Sequence, residues 1–222
     1  MSTEGLLAYC RPGFEPDLAA ELGHHAGVQG IPAYAKTERG SAFVMLLGAP
    51  RDLLAEAIPY SQLVFGRQKY ALIDALEDLD PLDRISPVLE ALGGKGRYGD
   101  LSVETPDSDD ARQLAGLAKA FGNALRPALR KRGMLTDKPN PKLPMLHVVF
   151  VRNNHLLLAS STAGDRSPWP MGIPRLKQDS RAPSRSAMKL DEALACLMTP
   201  AERMDLISEG MAAADLGASP GG

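Results

Sequence analysis

MAAADLGASPGG, residues Met211–Gly222, is the stretch whose reading decides the fold class. Small apolar residues run into Asp215, and Gly217, Pro220, Gly221 and Gly222 crowd the positions behind it. A buried parallel strand empties into a glycine-rich turn in this way. Such a turn lets backbone N–H groups approach a ligand and aims the N-terminus of a following helix at an anionic group. Taken alone, the string is equally an ordinary strand running into a loop.

Working back from it, Ser184–Leu197 has helical spacing, with Ser184 as N-cap and Leu190, Ala193, Leu194 and Leu197 on one face; Thr199 caps a shorter helix to Ser208. The stretch before Ser184 is rich in Pro, Gly and Ser, and Arg166, Arg175, Lys177, Arg181 and Arg185 outnumber Asp165 and Asp179. A basic linker is therefore expected over residues 163–183.

The rest divides into two further units. Gly5–Cys10 reads as a strand, Glu15–Val28 as a helix, Ala33–Leu47 as two strands around Thr37–Gly40, and Arg51–Ile58 as a helix. That order predicts a ferredoxin-like subdomain over residues 1–62. Residues 63–162 predict a strand at Phe65–Leu76, a helix at Asp83–Leu92 and a strand at Gly99–Thr105. A long helix at Asp109–Lys131, kinked near Pro127, and a hairpin over Asn153–Asn154 complete the unit. The fold class is α/β, with an α+β N-terminal part.

The chain has 222 residues, 44% of them hydrophobic, a net charge of −2 and only two cysteines, Cys10 and Cys196. The cysteines lack metal-ligand spacing and read as reduced thiols of a cytoplasmic protein, without a metal. Met1–Leu7 lacks the basic and apolar regions of a secretory leader and no apolar run reaches membrane length, so a soluble intracellular protein is expected. With a slightly acidic whole, any nucleic-acid affinity must come from local patches. Arg126, Arg130, Lys131 and Arg132 cluster at the end of the long helix, with Lys138 and Lys142 beyond. A helix end complementing its own dipole explains part of this set. It does not explain the basic linker, and the two together read as a phosphate-tracking surface with salt-dependent binding. His24 and His25 read as surface residues, and His147 and His155 are assigned no chemistry.

PSRSAMKLDEAL (183–194), followed after about twenty residues by DLGASPGG (215–222), resembles the opening of the catalytic domain in ribose 2'-O-methyltransferases acting on ribosomal RNA. CRPGFE (10–15), ETPDSDDARQLAGLAKAF (104–121), ALRPALRKRG (124–133) and SPWPMGIPRLK (167–177) extend the resemblance over essentially the whole chain. They look like the bacterial large-subunit ribosomal RNA cytidine 2'-O-ribose methyltransferases. That resemblance implies S-adenosyl-L-methionine as methyl donor and 23S ribosomal RNA as partner. It implies a ferredoxin-like subdomain plus a THUMP RNA-binding domain, followed over residues 184–222 by the first helix and strand of a Rossmann-like methyltransferase domain. By residue, Ser186, Ser219, Pro220, Gly221 and Gly222 match cofactor contacts, and Lys189 matches the first lysine of a Lys-Asp-Lys-Glu catalytic tetrad. Arg126, Arg130, Lys131, Arg132, Lys138, Lys142, Arg175 and Lys177 are the candidate RNA contacts. The later strands and tetrad members are not in the sequence. The chain by itself is therefore expected to bind the methyl donor negligibly, to be inactive, and to leave Met211–Leu216 disordered or paired with another copy. The rivals are a stand-alone RNA-binding module, which the chain as given would effectively be and which sequence beyond Gly222 would separate from the enzyme, and a dinucleotide-dependent oxidoreductase, which the glycine spacing of GASPGG disfavours. Oligomeric state is left open, a monomer being compatible.

Overall fold

The computed structural model describes residues 3–176, 186–212 and 214. It divides into two compact units, Met1–Gly172 and Ile173–Gly222.

The first unit is built on one seven-stranded sheet of order β2-β3-β1-β4-β7-β6-β5. Its strands are β1 (Gly5–Tyr9), β2 (Tyr34–Thr37), β3 (Phe43–Leu47), β4 (Gln68–Leu76), β5 (Asp100–Glu104), β6 (Met145–Arg152) and β7 (His155–Ser161). All pairings are antiparallel except β5 with β6. The first four strands, with α1 (Glu15–Val28) and α2 (Arg51–Ala57), form the expected ferredoxin-like arrangement. Because β4 pairs with β1 on one side and β7 on the other, the sheet runs unbroken into the second half.

Helices α1 and α2 cover one face of β1 and β3 through Leu18, Leu22 and Leu54. On the same side, α3 (Ile85–Ala91) and α5 (Ala115–Lys131) cover β5, β6 and β7, with Phe121 edge-on to Phe150 at 5.2 Å. The opposite face has a core of its own: Leu7, Tyr9, Met45, Tyr70, Leu72, Val149, Leu157 and Ala159 pack together, and no α-helix among the described residues contributes. The sheet buries this face by curling onto itself. Tyr9 Oη donates to Glu104 Oε1 at 3.1 Å, although β1 and β5 lie four strands apart, about 19 Å in a flat sheet. With both faces covered, all five residues of β1 are buried, which is why that strand reads as an uninterrupted apolar run.

The expected long helix is two helices. Ser108 caps α4 (Asp109–Arg112) by accepting from the Ala111 N–H at 3.2 Å. A tightened turn, Leu114 N–H to Ala111 O at 3.0 Å, then separates α4 from α5. Pro127, where the interruption was expected, lies inside α5. It is tolerated because Pro127 and Asn123, whose carbonyl loses its helical donor, both face solvent.

Two polar residues at the start of β4 fasten the chain after β7. Lys69, 2% exposed, pairs with Asp165 Oδ2 at 2.5 Å and donates to the carbonyls of Ala55 and Ile58 at 2.8 and 2.6 Å. Gln68, from the other face, donates to the Ser167 and Trp169 carbonyls and accepts the Ser167 N–H at 2.9 Å. Gly172 ends this segment at φ +71, where a Cβ would stand 1.8 Å from the Arg67 carbonyl oxygen; only glycine fits.

In the second unit, α6 (Ser186–Leu197) is followed by α7 (Pro200–Leu206), closed by a capping box between Thr199 and Glu202. Met211, Ala212 and Ala214 carry no strand assignment, and the rest of the expected terminal strand and glycine turn lies outside the described residues.

Burial pushes the Lys69 ammonium below its ordinary 10.5, and Asp165 opposes that shift. Asp165→Asn keeps an acceptor for the Tyr60 N–H but removes the countercharge. The expected cost at neutral pH is about 2 kcal/mol in denaturant unfolding, since Asp165 is itself partly exposed. Unfolded lysine binds the proton more tightly than this site does, so the variant's stability should climb as pH rises toward 10.5.

Candidate functional site

The curled sheet leaves a cleft of about 340 Å³ where the inner face of β5, β6, β7 and β4 meets two loop segments. Strand alternation sends Ser102 and Glu104 of β5, His147 of β6, Ser161 of β7 and Tyr70 of β4 to it. Pro139–Pro141 and Arg166–Pro170 supply the loop walls, with Trp169 half-buried among them.

The floor is a polar network. Glu104 accepts from Tyr9 Oη at 3.1 Å and from Ser102 Oγ at 2.9 Å. His147, 2% exposed, has Nε2 2.8 Å from Ser161 Oγ. Its Nδ1 faces Glu104 Oε1 at 3.7 Å, within ion-pair range but beyond hydrogen-bond reach, and has no hydrogen-bond partner among the described residues. The His147 ring stacks on Tyr70 at 3.8 Å, and Tyr9 meets Tyr70 edge-on at 5.5 Å. Burial pushes the Glu104 carboxyl up, but His147, Tyr70 and Ser102 outweigh it and hold the carboxyl below 4.5. Burial and the neighbouring Glu104 raise both tyrosines, keeping them protonated donors.

A larger cleft of about 770 Å³ opens where the β2–β3 hairpin approaches α4 and the β6–β7 hairpin. Its charges are of both signs: Lys36, Arg39 and Arg152 stand with Glu38, Glu77, Asp78 and Asp110, and Arg152 already pairs with Glu38 at 3.1 Å. The acids outnumber the bases, so it offers no basic surface to a polyanion.

The residues expected from the sequence to contact RNA separate into two groups. Arg126 pairs with Asp100 at 2.7 Å and donates to the Leu101 carbonyl; Arg130 donates to the carbonyls of Thr136 and Asp137. Both fasten the end of α5 to β5 and the following loop. Lys131, Arg132, Lys138 and Lys142 are exposed and have no ion pair among the described residues. The loop carrying Lys138 and Lys142 is pinned by Asn140 N–H to Gly99 O at 3.0 Å and Gly99 N–H to Pro144 O at 2.8 Å. A Cβ at Gly99 would lie 2.0 Å from the Asn140 carbonyl oxygen. In the second unit, Arg175 is exposed, Ser186 opens α6, and Lys189 is exposed three positions later. Lys177, Ser219, Pro220, Gly221 and Gly222 lie outside the described residues.

Glu104 and His147 were missed by the sequence reading, because β5 and β6 meet only through the fold. Their one local signal was a polar residue in a buried strand, the histidine of LHVVFV. Among the described residues no cluster of His, Cys, Asp or Glu could hold a metal ion, and no helix is long and apolar enough to cross a membrane.

Residues 3–70 match the RlmM ferredoxin-like domain, and residues 83–162 match the N-terminal model of ribosomal RNA large subunit methyltransferase M. Curated proteins named ribosomal RNA large subunit methyltransferase M are similar throughout. One from Xanthomonas axonopodis pv. citri is 57% identical over 98% of this chain, and one from Xanthomonas campestris pv. campestris is 56% identical over the same span. The chain belongs to the ribosomal RNA large subunit methyltransferase M family. It spans 63% of the length of those relatives. Among solved structures, TrmN from Thermus thermophilus aligns with a TM-score of 0.42 and 14% identity over 72% of this chain and 46% of its own, too loose to carry a functional argument.

Because the folded state holds Glu104 below 4.5, its contribution to stability is present above that pH and is lost as pH falls through the folded value. Glu104→Gln should therefore be destabilised at neutral pH by roughly 2–3 kcal/mol. Thermal unfolding as a function of pH should show wild type and variant converging below 4.5.

Proposed function

We propose that this chain captures RNA for an S-adenosylmethionine-dependent enzyme that methylates the ribose 2'-hydroxyl of a cytidine in 23S ribosomal RNA, in the cytoplasm. The observation that carries this reading is the family match across nearly the whole chain. The surface chemistry agrees with it: a slightly acidic protein presents Lys131, Arg132, Lys138 and Lys142, without an ion pair among the described residues, on one helix end and the loop fastened to it. Cations in that state can exchange condensed counterions for phosphates. In this reading residues 1–62, completed by β4, form the ferredoxin-like subdomain, and the rest of residues 63–162 a THUMP domain, which holds structured RNA by phosphate and shape contacts. Residues 163–183 are the linker, whose Arg175 and Lys177 are further candidate RNA contacts. Residues 184–222 open a Rossmann-like catalytic domain.

S-adenosylmethionine would supply an electrophilic methyl group. Ser186 and the Ser219, Pro220, Gly221 and Gly222 turn would hold it, a hydroxyl and backbone N–H groups suiting its carboxylate end. Lys189 would act on the ribose hydroxyl, taking its proton or stabilising the developing alkoxide as an ammonium.

Titrating structured ribosomal RNA at several salt concentrations tests the binding half. Lys138→Ala and Lys142→Ala should each weaken binding across sequences and reduce the salt slope by about 1, whereas a salt-independent affinity would count against the basic surface. The catalytic half is tested by tritium-methyl transfer to unmodified large-subunit RNA with the full-length protein. Lys189→Ala should lower the rate by roughly a hundredfold or more, and unchanged activity would remove the assignment.

A further inference from the structure

The cleft beside the basic loop has features that phosphate binding does not need. Its volume, about 340 Å³, sits at the small end of the range for small-ligand sites and suits one nucleoside rather than a helix. The walls near its opening are flat and apolar, from Trp169 and neighbouring prolines. At the floor, Glu104 presents a carboxylate that accepts from Tyr9 and Ser102 and has acceptor capacity left over. Outside, Lys138 and Lys142 flank the Pro139–Pro141 wall. Arg166, on the other wall, has only the weak acceptor Met145 Sδ at 2.8 Å and no ion pair among the described residues.

We propose that this cleft binds one unstacked nucleobase carrying an exocyclic amino group, presented by a single-stranded segment of RNA whose phosphates lie along Lys138, Lys142 and Arg166. The inference rests on the RNA-binding reading above and deepens it. Trp169 supplies a stacking surface, as aromatic side chains do for splayed bases. Glu104 accepts from the base edge, so bases with an exocyclic amino donor, adenine and cytosine among them, are favoured over uracil. Uracil has a single ring N–H between two carbonyls and would turn an oxygen toward the carboxylate.

The chain has one tryptophan, and it lines the cleft, so its emission reports occupancy directly. Short oligoadenylate, oligocytidylate and oligouridylate should be titrated against the protein by fluorescence anisotropy and by Trp169 emission. Oligoadenylate and oligocytidylate are expected to change the emission and to bind about tenfold tighter than oligouridylate. Trp169→Ala should weaken both by about tenfold while leaving the salt slope unchanged. Glu104→Gln, if thermal unfolding shows it folded, should bring all three to similar affinity; if it does not fold, Trp169→Ala and the wild-type comparison decide. Equal, salt-dependent binding of the three without change in Trp169 emission would overturn the slot and leave the basic surface standing. Absence of binding even at low salt would overturn both.

Discussion

The hydrogen bond from Tyr9 to Glu104 joins two strands that the sheet order keeps four positions apart. It can form only if the sheet curls, and the curl is what gives the inner face a core to which no α-helix among the described residues contributes. The side chains along that path permit it. Between β4 and β6 the register places Ala159 opposite both Leu72 and His147. A small residue there leaves room for the Tyr70 and His147 rings to meet face to face at 3.8 Å. Removing the carboxylate would leave Tyr9 and Ser102 without their acceptor inside a low-dielectric space, where each unmade hydrogen bond costs about 1–3 kcal/mol. The network is thus both the closure of the sheet and the floor of the cleft.

The second constraint is the opening of β4. Adjacent strand residues point to opposite faces, and here both are polar and nearly fully buried: Gln68 at 1% exposure and Lys69 at 2%. Each reaches the chain segment that leaves β7. Lys69 holds it by Asp165, and Gln68 holds it at Ser167 and Trp169. The tryptophan is therefore fixed by backbone bonds rather than by packing of its own ring. With its backbone held this way, a ligand that stacks on the ring orders only the side-chain torsions and not the segment that carries them, which favours recognition.

The strand and helix order was legible because each element carries its own period. β1 and β3 are apolar runs between turn signals, and α5 repeats Ala118, Phe121, Leu125 and Leu129 on one face. The expected kink was misplaced because the cost of Pro127 depends on whether Asn123 faces water, a tertiary fact. The cleft was illegible for the same reason. Glu104 and His147 lie 43 positions apart, and no spacing rule joins them; their neighbourhood exists only once β5 and β6 pair in parallel, Glu104 opposite Val149. The family motifs were legible as strings, since contiguous stretches such as SPWPMGIPRLK do not depend on the fold for recognition.

The basic cluster shows why composition alone overcounts a binding surface. Arginine's planar fork satisfies carbonyls and carboxylates at fixed angles, and Arg126 and Arg130 use it on Asp100, Leu101, Thr136 and Asp137. Those carbonyls belong to the edge strand and to the loop that carries Lys138 and Lys142. The guanidinium groups are therefore committed before any partner arrives, and what they hold is the position of the lysines. A lysine ammonium on a flexible stem needs no fixed geometry to meet a phosphate, but its loop must be in place for the charge to count. In this chain the arginines build the surface, and the exposed cations beyond them are left to bind.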